Sequence, residues 1–331
     1  MNVRLILRSL FAALVYVGLA LTSVTSWSQA YPDRPVHIIC SFPPGGGTDF
    51  LARIIAQKLT ERWGQSVIVE NRPGGNGTIG ATAVIRAAPD GYTLYVGSSD
   101  HMILAPNLFT NLPYDTLKDL VPIVSIANQY VVLVVHPSVP ATTVAEFVAL
   151  ARSKPGQFNY SSSGTGTVTQ LAGELFQSAS GVKLAHIPYK GSAPALTDLI
   201  GGQDIKVSFA TMASIVPYIK SGKVRPLAIS APHRSPALPD VPTGVETGYP
   251  GFIAYSWNGV FAPVGTPPGI VRKINADVVS ILKSPDVIAH FAAVGVDATG
   301  GTPEQFAASM KVDMEQAAKV LKQAGIDKSP M

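Results

Sequence analysis

The residues best placed to do chemistry in this chain are small, not charged. Pro43-Pro44-Gly45-Gly46-Gly47-Thr48-Asp49 lies between the apolar run Val36 to Cys40 and a stretch, Phe50 to Trp63, in which Leu51, Ile54, Ile55 and Leu59 recur on one helical face. The pattern reads as strand, glycine loop, helix. The first N–H groups of a helix have no acceptor within it, and three glycines let a ligand approach the main chain. That combination suits a small anion such as a carboxylate. Thr48 is the expected N-cap, and Asp49 suits a first turn. A plain βα turn with no ligand explains the same residues equally well.

The design recurs. Phe158-Asn159-Tyr160 reads as a short strand leading into Ser161-Ser162-Ser163-Gly164-Thr165-Gly166-Thr167, and a helix follows to about Ser180, stopped by Gly181. Loops of this kind lie at the carboxyl ends of parallel strands, where ligands bind. If the two units face each other, the loops meet across a cleft that fits a small, extended molecule with a carboxylate at one or both ends. Ser162, Ser163, Thr165 and Thr167 would add hydroxyls without adding charge. Phe42 and Tyr189 would wall the ligand's carbon chain, or simply pack.

Other chemistries find less support. Gly75-Asn76-Gly77-Thr78-Ile79-Gly80 matches the dinucleotide fingerprint, with Asp100 downstream as the acid. However, Asn71 to Gly74 separates the strand from the first glycine, and Asp100 lies past the end of its own strand. No GxSxG elbow, HExxH or paired Cys/His spacing occurs, so neither a metal nor a cofactor is expected. His101, beside Asp100, would be a base near the cleft or a hydrogen-bonded loop residue. His37, His186 and His290 fall within predicted strands or helices. Arg72 would pair with a carboxylate or brace its turn. The competing function is an exported α/β hydrolytic enzyme using Ser163 or His101.

Residues 1–30 read as an export signal: Arg4 and Arg8, an apolar stretch from Phe11 to Leu21, and small residues at Ser28 and Ala30, with cleavage after Ala30. Removing those two arginines from 25 basic residues, against 21 acidic ones, leaves a mature charge of +2. Charged residues make up 14% of the chain, well below the usual ~25%. With no basic run, nucleic acid is a poor partner. Cys40, the single cysteine, cannot form an internal disulfide and reads as a buried apolar residue.

Along the remaining chain, short strands alternate with helices, the signature of βαβ units and parallel sheets. Strands are expected at Val67 to Glu70, Tyr92 to Gly97, Ile123 to Ala127, Tyr130 to Val135, Lys183 to Ile187, Ile205 to Phe209, Val224 to Ser230 and Tyr255 to Phe261. Helices are expected at Ile79 to Ala88, from a capping box at Thr143 to Glu146, at Ala193 to Ile200, around Ile215 to Ile219, from Thr266 to a stop at Ser284-Pro285, and from Thr302 to Gly325. Ala231 to Gly251 reads as a long surface loop.

The ordered set Tyr31-Pro32-Asp33-Arg34-Pro35, Pro43 to Asp49, Glu70-Asn71-Arg72-Pro73-Gly74, Ala88-Pro89-Asp90-Gly91-Tyr92-Thr93-Leu94, Tyr160 to Thr167, His186 to Gly191 and Leu238 to Thr243 resembles the Bug-type periplasmic receptors of tripartite tricarboxylate transporters. The resemblance spans the mature chain. It implies an α/β, bilobal periplasmic-binding-protein fold, type II-like, with two parallel-sheet-based domains joined by two crossover strands and a ligand cleft between them. The corresponding domains are 31–130 plus 253–331, and 131–252. It also implies a monomeric, non-enzymatic receptor that captures a dicarboxylate, tricarboxylate, acidic amino acid or aromatic acid and delivers it to integral membrane transporter subunits. The ligand carboxylate would be held in the loop Gly45, Gly46, Gly47, Thr48 and Asp49. Ser98, Ser99, Ser162, Ser163, Gly164, Thr165, Gly166 and Thr167 would meet its other end. Asn76 departs from the family's small residue and would place an amide near the cleft.

Overall fold

The computed structural model describes residues 31–323 and 327–330, so the expected export signal and the helix stop at Gly325 lie outside the described residues. From Arg34 onward the chain forms one unit. Its first elements are β1 (Val36–Cys40), α1 (Gly47–Trp63), β2 (Val67–Asn71), α2 (Thr78–Ile85) and β3 (Thr93–Ser98). A π-helical turn, Asp100–Leu104, runs into α3 (Ala105–Leu108), followed by α4 (Thr116–Asp119) and β4 (Leu120–Val135). Next come α5 (Val144–Ser153), β5 (Asn159–Ser162), α6 (Val168–Ser180), β6 (Ala185–Pro188), α7 (Ser192–Gly201), β7 (Val207–Thr211), α8 (Met212–Lys220) and β8 (Arg225–Ile229). The chain continues through β9 (Tyr255–Pro263), α9 (Pro268–Leu282), α10 (Pro285–Ala293), β10 (Val296–Gly300) and α11 (Pro303–Gln323).

β4 joins two half-sheets. Its residues Leu120 to Tyr130 pair antiparallel with β9, and Ser125 to Gln129 also pair with β10. Val131 to Val135 pair with β7 and β8 instead. The strand order is β2-β1-β3-β9-β4-β7-β5-β6, with β1 parallel to β2 and β3, and β5 parallel to β6 and β7. The two strands expected at Ile123 to Ala127 and Tyr130 to Val135 are therefore one strand of 16 residues. Asn128 and Gln129 interrupt the apolar run but not the ladder, because they stay in register with Trp257 and Ser256 of β9.

The core shows why β4 is so apolar at its far end. Val131, Leu133 and Val135 face one cluster with Phe147, Phe176 and Phe209, whereas Val132 and Val134 face another with Leu196, Ile215 and Val216. Successive strand side chains point to opposite faces, and both faces are covered, so the run is continuous instead of alternating. The first half-sheet packs Ile39, Tyr95 and Phe261 against Trp257, Phe306 and Met310. Cys40 is fully buried in β1, and burial pushes its thiol up to about 12.

Helix signals in the sequence operate as local chemistry predicts. Thr143 and Glu146 exchange side-chain and backbone hydrogen bonds in a full capping box. Thr302 and Gln305 do the same before α11. Three expectations change. Ser284-Pro285 ends α9 but also opens α10, with proline at a first-turn position that needs no N–H donor. β10 had no apolar pattern to announce it, because three of its residues are exposed and it is defined by its pairing with β4. The segment Ala231 to Gly251 is not wholly on the surface, since Leu238 and Val241 are buried in the second half's core. Among the described residues, no helix is long and apolar enough to cross a membrane.

Phe176 is fully buried, with the rings of Phe147, Phe209, Tyr249 and Phe252 around it. Phe176→Ala is expected to lower unfolding free energy by about 3–5 kcal/mol, the usual cost of an aromatic-sized core deletion, read from denaturant melts.

Candidate functional site

The glycine loop is built around Asp49. α1 starts at Gly47, and the N-cap position is Gly46, in extended conformation with no side-chain cap. Thr48 is therefore not the cap; its Oγ1 accepts from Asn258 Nδ2 at 3.0 Å. Asp49 Oδ2 accepts from the Gly45 N–H and from Arg53 Nε, both at 3.0 Å, and Oδ1 accepts from Asn71 Nδ2 at 2.8 Å. Asn71 Nδ2 also donates to the Phe42 carbonyl at 2.9 Å. Burial pushes the Asp49 carboxyl up, but the bonds from Arg53, Gly45 and Asn71 outweigh it and hold the group below the ordinary range. Asp49 thus fastens the loop and occupies the Gly45 amide. The amides of the first turn, from Gly47 on, have no acceptor within the helix.

The loop opens onto a small, partly enclosed cleft. Phe42, Pro43, Gly46, Gly47 and Thr48 form one wall, continued by Asp100, Gln129 and Ser256. Ser163, Ser192 and Thr211 form the other. Ser192 is the first residue of α7 and Thr211 is the N-cap of α8, so two further helix starts face the loop. Among the described residues, no lysine or arginine lines the cleft. Gln129 Nε2 donates to Asn258 Oδ1 at 2.5 Å, continuing the chain of bonds to Thr48. A Cβ at Gly47 would stand 2.3 Å from Gln129 Oε1 and 3.0 Å from Thr211 Oγ1, so glycine is required there by close approach. At Gly46 an added Cβ meets nothing nearer than 3.8 Å.

Asp100 is buried on the π-helical turn after β3. The amide of Val168, the first residue of α6, and the Ser256 hydroxyl lie beside its carboxyl and favour the ionised form. Burial outweighs them and pushes the carboxyl up to about 7. Ser99 Oγ lies 3.0 Å from Ser256 Oγ and so supports the cleft wall from behind.

Of the sixteen residues singled out by sequence, Phe42, Gly46, Gly47, Thr48 and Ser163 line this cleft, and the others do not. Gly45 and Asp49 hold the loop from within. Ser98 is buried on β3. Ser162 Oγ bonds His186 Nε2 at 2.6 Å. The Thr167 hydroxyl donates to the Gly164 carbonyl at 2.7 Å, and the Gly166 N–H donates to Gln170 Oε1 at 2.8 Å. Thr165, Gly166 and Thr167 line a separate recess with Leu108, Phe109 and Leu171. Tyr189 donates to Asp198 Oδ2 at 2.5 Å. Asn76 sits at φ 46 in the 3-10 turn Gly75–Gly77.

The fingerprint glycines also have packing roles. A Cβ at Gly77 would fall 2.3 Å from the His101 ring, and one at Gly80 would fall 2.3 Å from Ser41 Oγ. His101 is stacked on Phe42 at 4.4 Å, and burial pushes it down to about 3, so it is a neutral wedge under the cleft wall. Ser163 Oγ bonds Thr169 Oγ1 at 2.8 Å, a hydroxyl in the place where a hydrolase needs a base. Arg72 pairs with Glu70 at 2.8 Å beside its turn. Asp100, Gln129, Ser192, Thr211 and Ser256 escaped the sequence reading as cleft residues. Only Ser192, which follows Gly191 before an apolar helix, and Thr211, at the change from strand to helix, carried a local signal.

Two half-sheets sharing a strand, with helix starts meeting at the cleft, define a bilobal solute-binding protein of the periplasmic-binding-protein class. Residues 51–326 match the model of the tripartite tricarboxylate transporter family receptor, and the chain belongs to that family, a family of solute-binding receptors and not of enzymes. It is similar to the protein BugT of Bordetella pertussis, 36% identical over 312 residues that cover 94% of this chain and 95% of that one. Rpa4515 of R. palustris, solved with adipate, is 35% identical with TM-score 0.87, covering 90% of this chain and 100% of that one. MatC of Rhodopseudomonas palustris, solved with bound malate, is 33% identical with TM-score 0.82, covering 88% and 100%.

Asp49→Ala removes three bonds to a buried carboxylate, so a loss of about 2 kcal/mol at neutral pH is expected. The folded carboxyl is held below its unfolded value of about 3.9, so its contribution is full above that pH and fades as pH falls through the lower folded value. Denaturant melts of wild type and variant should converge in acid.

Proposed function

We propose that the protein captures a small carboxylate in the periplasm, where the segment 1–30 directs it, and hands it as a monomer to the integral membrane subunits of a tripartite tricarboxylate-type transporter. The two lobes are 31–130 plus 253–331, and 131–252, and the solute closes them by touching both. The observation that carries this reading is the cleft itself. Gly46, Gly47 and Thr48 face Ser163, Ser192 and Thr211 across it, with helix starts on both walls and, among the described residues, no cationic side chain. Such walls favour negative charge through main-chain dipoles and N–H donors. The adipate and malate held by the two similar structures support a carboxylate as the solute class.

Thermal unfolding against a panel of dicarboxylates, tricarboxylates, acidic amino acids and aromatic acids tests the reading. A true ligand at a hundred times its dissociation constant adds about 2.7 kcal/mol. A panel without a single stabilising carboxylate would overturn it. Gly47→Ala places a methyl against Gln129 and Thr211 and should weaken binding at least tenfold by calorimetry while the far-ultraviolet circular dichroism stays unchanged.

A further inference from the structure

Two polar atoms in the cleft are acceptors with nothing to accept. Asp100 Oδ1 and Gln129 Oε1 are both buried without a hydrogen-bond partner among the described residues. Both belong to cleft-lining side chains, and Gln129 Oε1 is the atom a Cβ at Gly47 would strike. Buried polar groups are satisfied almost without exception, and each orphan calls for an explanation. Gln129 cannot simply turn, because the bond from its Nε2 to Asn258 orients it. Asp100 is flanked by the Val168 amide and the Ser256 hydroxyl, which favour its ionised form. The helix start at Val168 thus already has a carboxylate of the protein's own beside it.

We propose that Asp100, with Gln129, makes this receptor select carboxylates that carry a hydrogen-bond donor, an amine or a hydroxyl, beside the carboxylate, over plain acids of the same skeleton. This rests on the carboxylate-capture reading above. The solute's carboxylate lies against the first turn of α1, and its donor meets the two orphan oxygens of the same wall. A plain dicarboxylate would instead leave both oxygens unpaired and bring a second negative charge towards Asp100.

The surroundings of Asp100 make the sign of the pH effect unambiguous. His101, on the same turn, is kept neutral by burial. Asp49 of α1 is bound to Arg53 and Asn71, Glu174 of α6 to Tyr160, and Tyr255 of β9 packs on Tyr130. No charged side chain shifts the Asp100 carboxyl, which burial places at about 7. A donor on the solute favours the ionised carboxylate, so binding tightens as pH rises through that value. A plain dicarboxylate favours the protonated form, so its binding weakens over the same interval.

The test uses matched acids that differ only at the carbon next to one carboxylate: succinate, malate and aspartate, and phenylacetate, mandelate and phenylglycine. Isothermal calorimetry on the wild-type chain should show the donor-bearing members of a series binding at least tenfold tighter than the plain one, with affinity rising through neutral pH. Comparing the hydroxy and amino members identifies which donor is preferred. Asp100→Asn should cut the advantage to under threefold. Equal binding of plain and donor-bearing acids by the wild type, or an unchanged ratio in Asp100→Asn, would overturn the inference while leaving carboxylate capture standing. Failure of every acid to bind the wild type would overturn both.

Discussion

The first turn of an α-helix carries N–H groups that no carbonyl of its own helix can reach, and in this protein three such turns end at one cleft. α1 arrives through Gly46 to Thr48, α7 through Ser192 and α8 through Thr211, while the Val168 amide at the start of α6 lies beside Asp100. Each helix start carries the equivalent of about half a positive charge. That potential is fixed by the fold and involves no long, flexible cation that would lose rotamer freedom on binding. It also needs the main chain to be in the right place to a few tenths of an ångström, and most of the polar side chains nearby serve that placement.

Asp49, Arg53 and Asn71 hold the glycine loop closed on itself, while Asn258 and Gln129 fix Thr48 and the floor beneath Gly47. His101 wedges Phe42 from below and is in turn seated on the bare face of Gly77. A glycine-rich segment that looks made for phosphate is used here so that an aromatic ring can sit close to the backbone. In the reading proposed above, the walls recognise charge and shape through the main chain, which leaves discrimination between similar solutes to the few side chains that reach the cleft.

The strand–loop–helix units were legible because each is announced locally, by a β-branched run, then glycines or hydroxyls, then a 3.6-residue stripe. The capping boxes at Thr143 and Thr302 were legible for the same reason. Position within the loops was not. Ser163 and Thr165 share chemistry and near-neighbourhood, yet one faces the cleft and the other a different recess, because the positive-φ backbone at Gly164 turns the chain between them. Thr48 has the right side chain for a cap, but the cap is set by where the helix begins, and that places it two residues earlier, at Gly46. Gln129 and Asp100 were hidden for a different reason. They lie far from the glycine loop in sequence, and only the strand order brings them beside it.

One detail of the junction has a mechanical consequence. Ser230 Oγ accepts from the Val131 N–H at 2.9 Å and donates to the Ala254 carbonyl at 2.6 Å, while its own N–H bonds the Val131 carbonyl at 2.8 Å. Val131 is where β4 changes partners, and Ala254 lies where the chain returns towards β9. The outgoing and returning segments are thus riveted at one level by a single hydroxyl. Torsion of one half-sheet against the other would strain these bonds, whereas flexing both segments together would leave them whole.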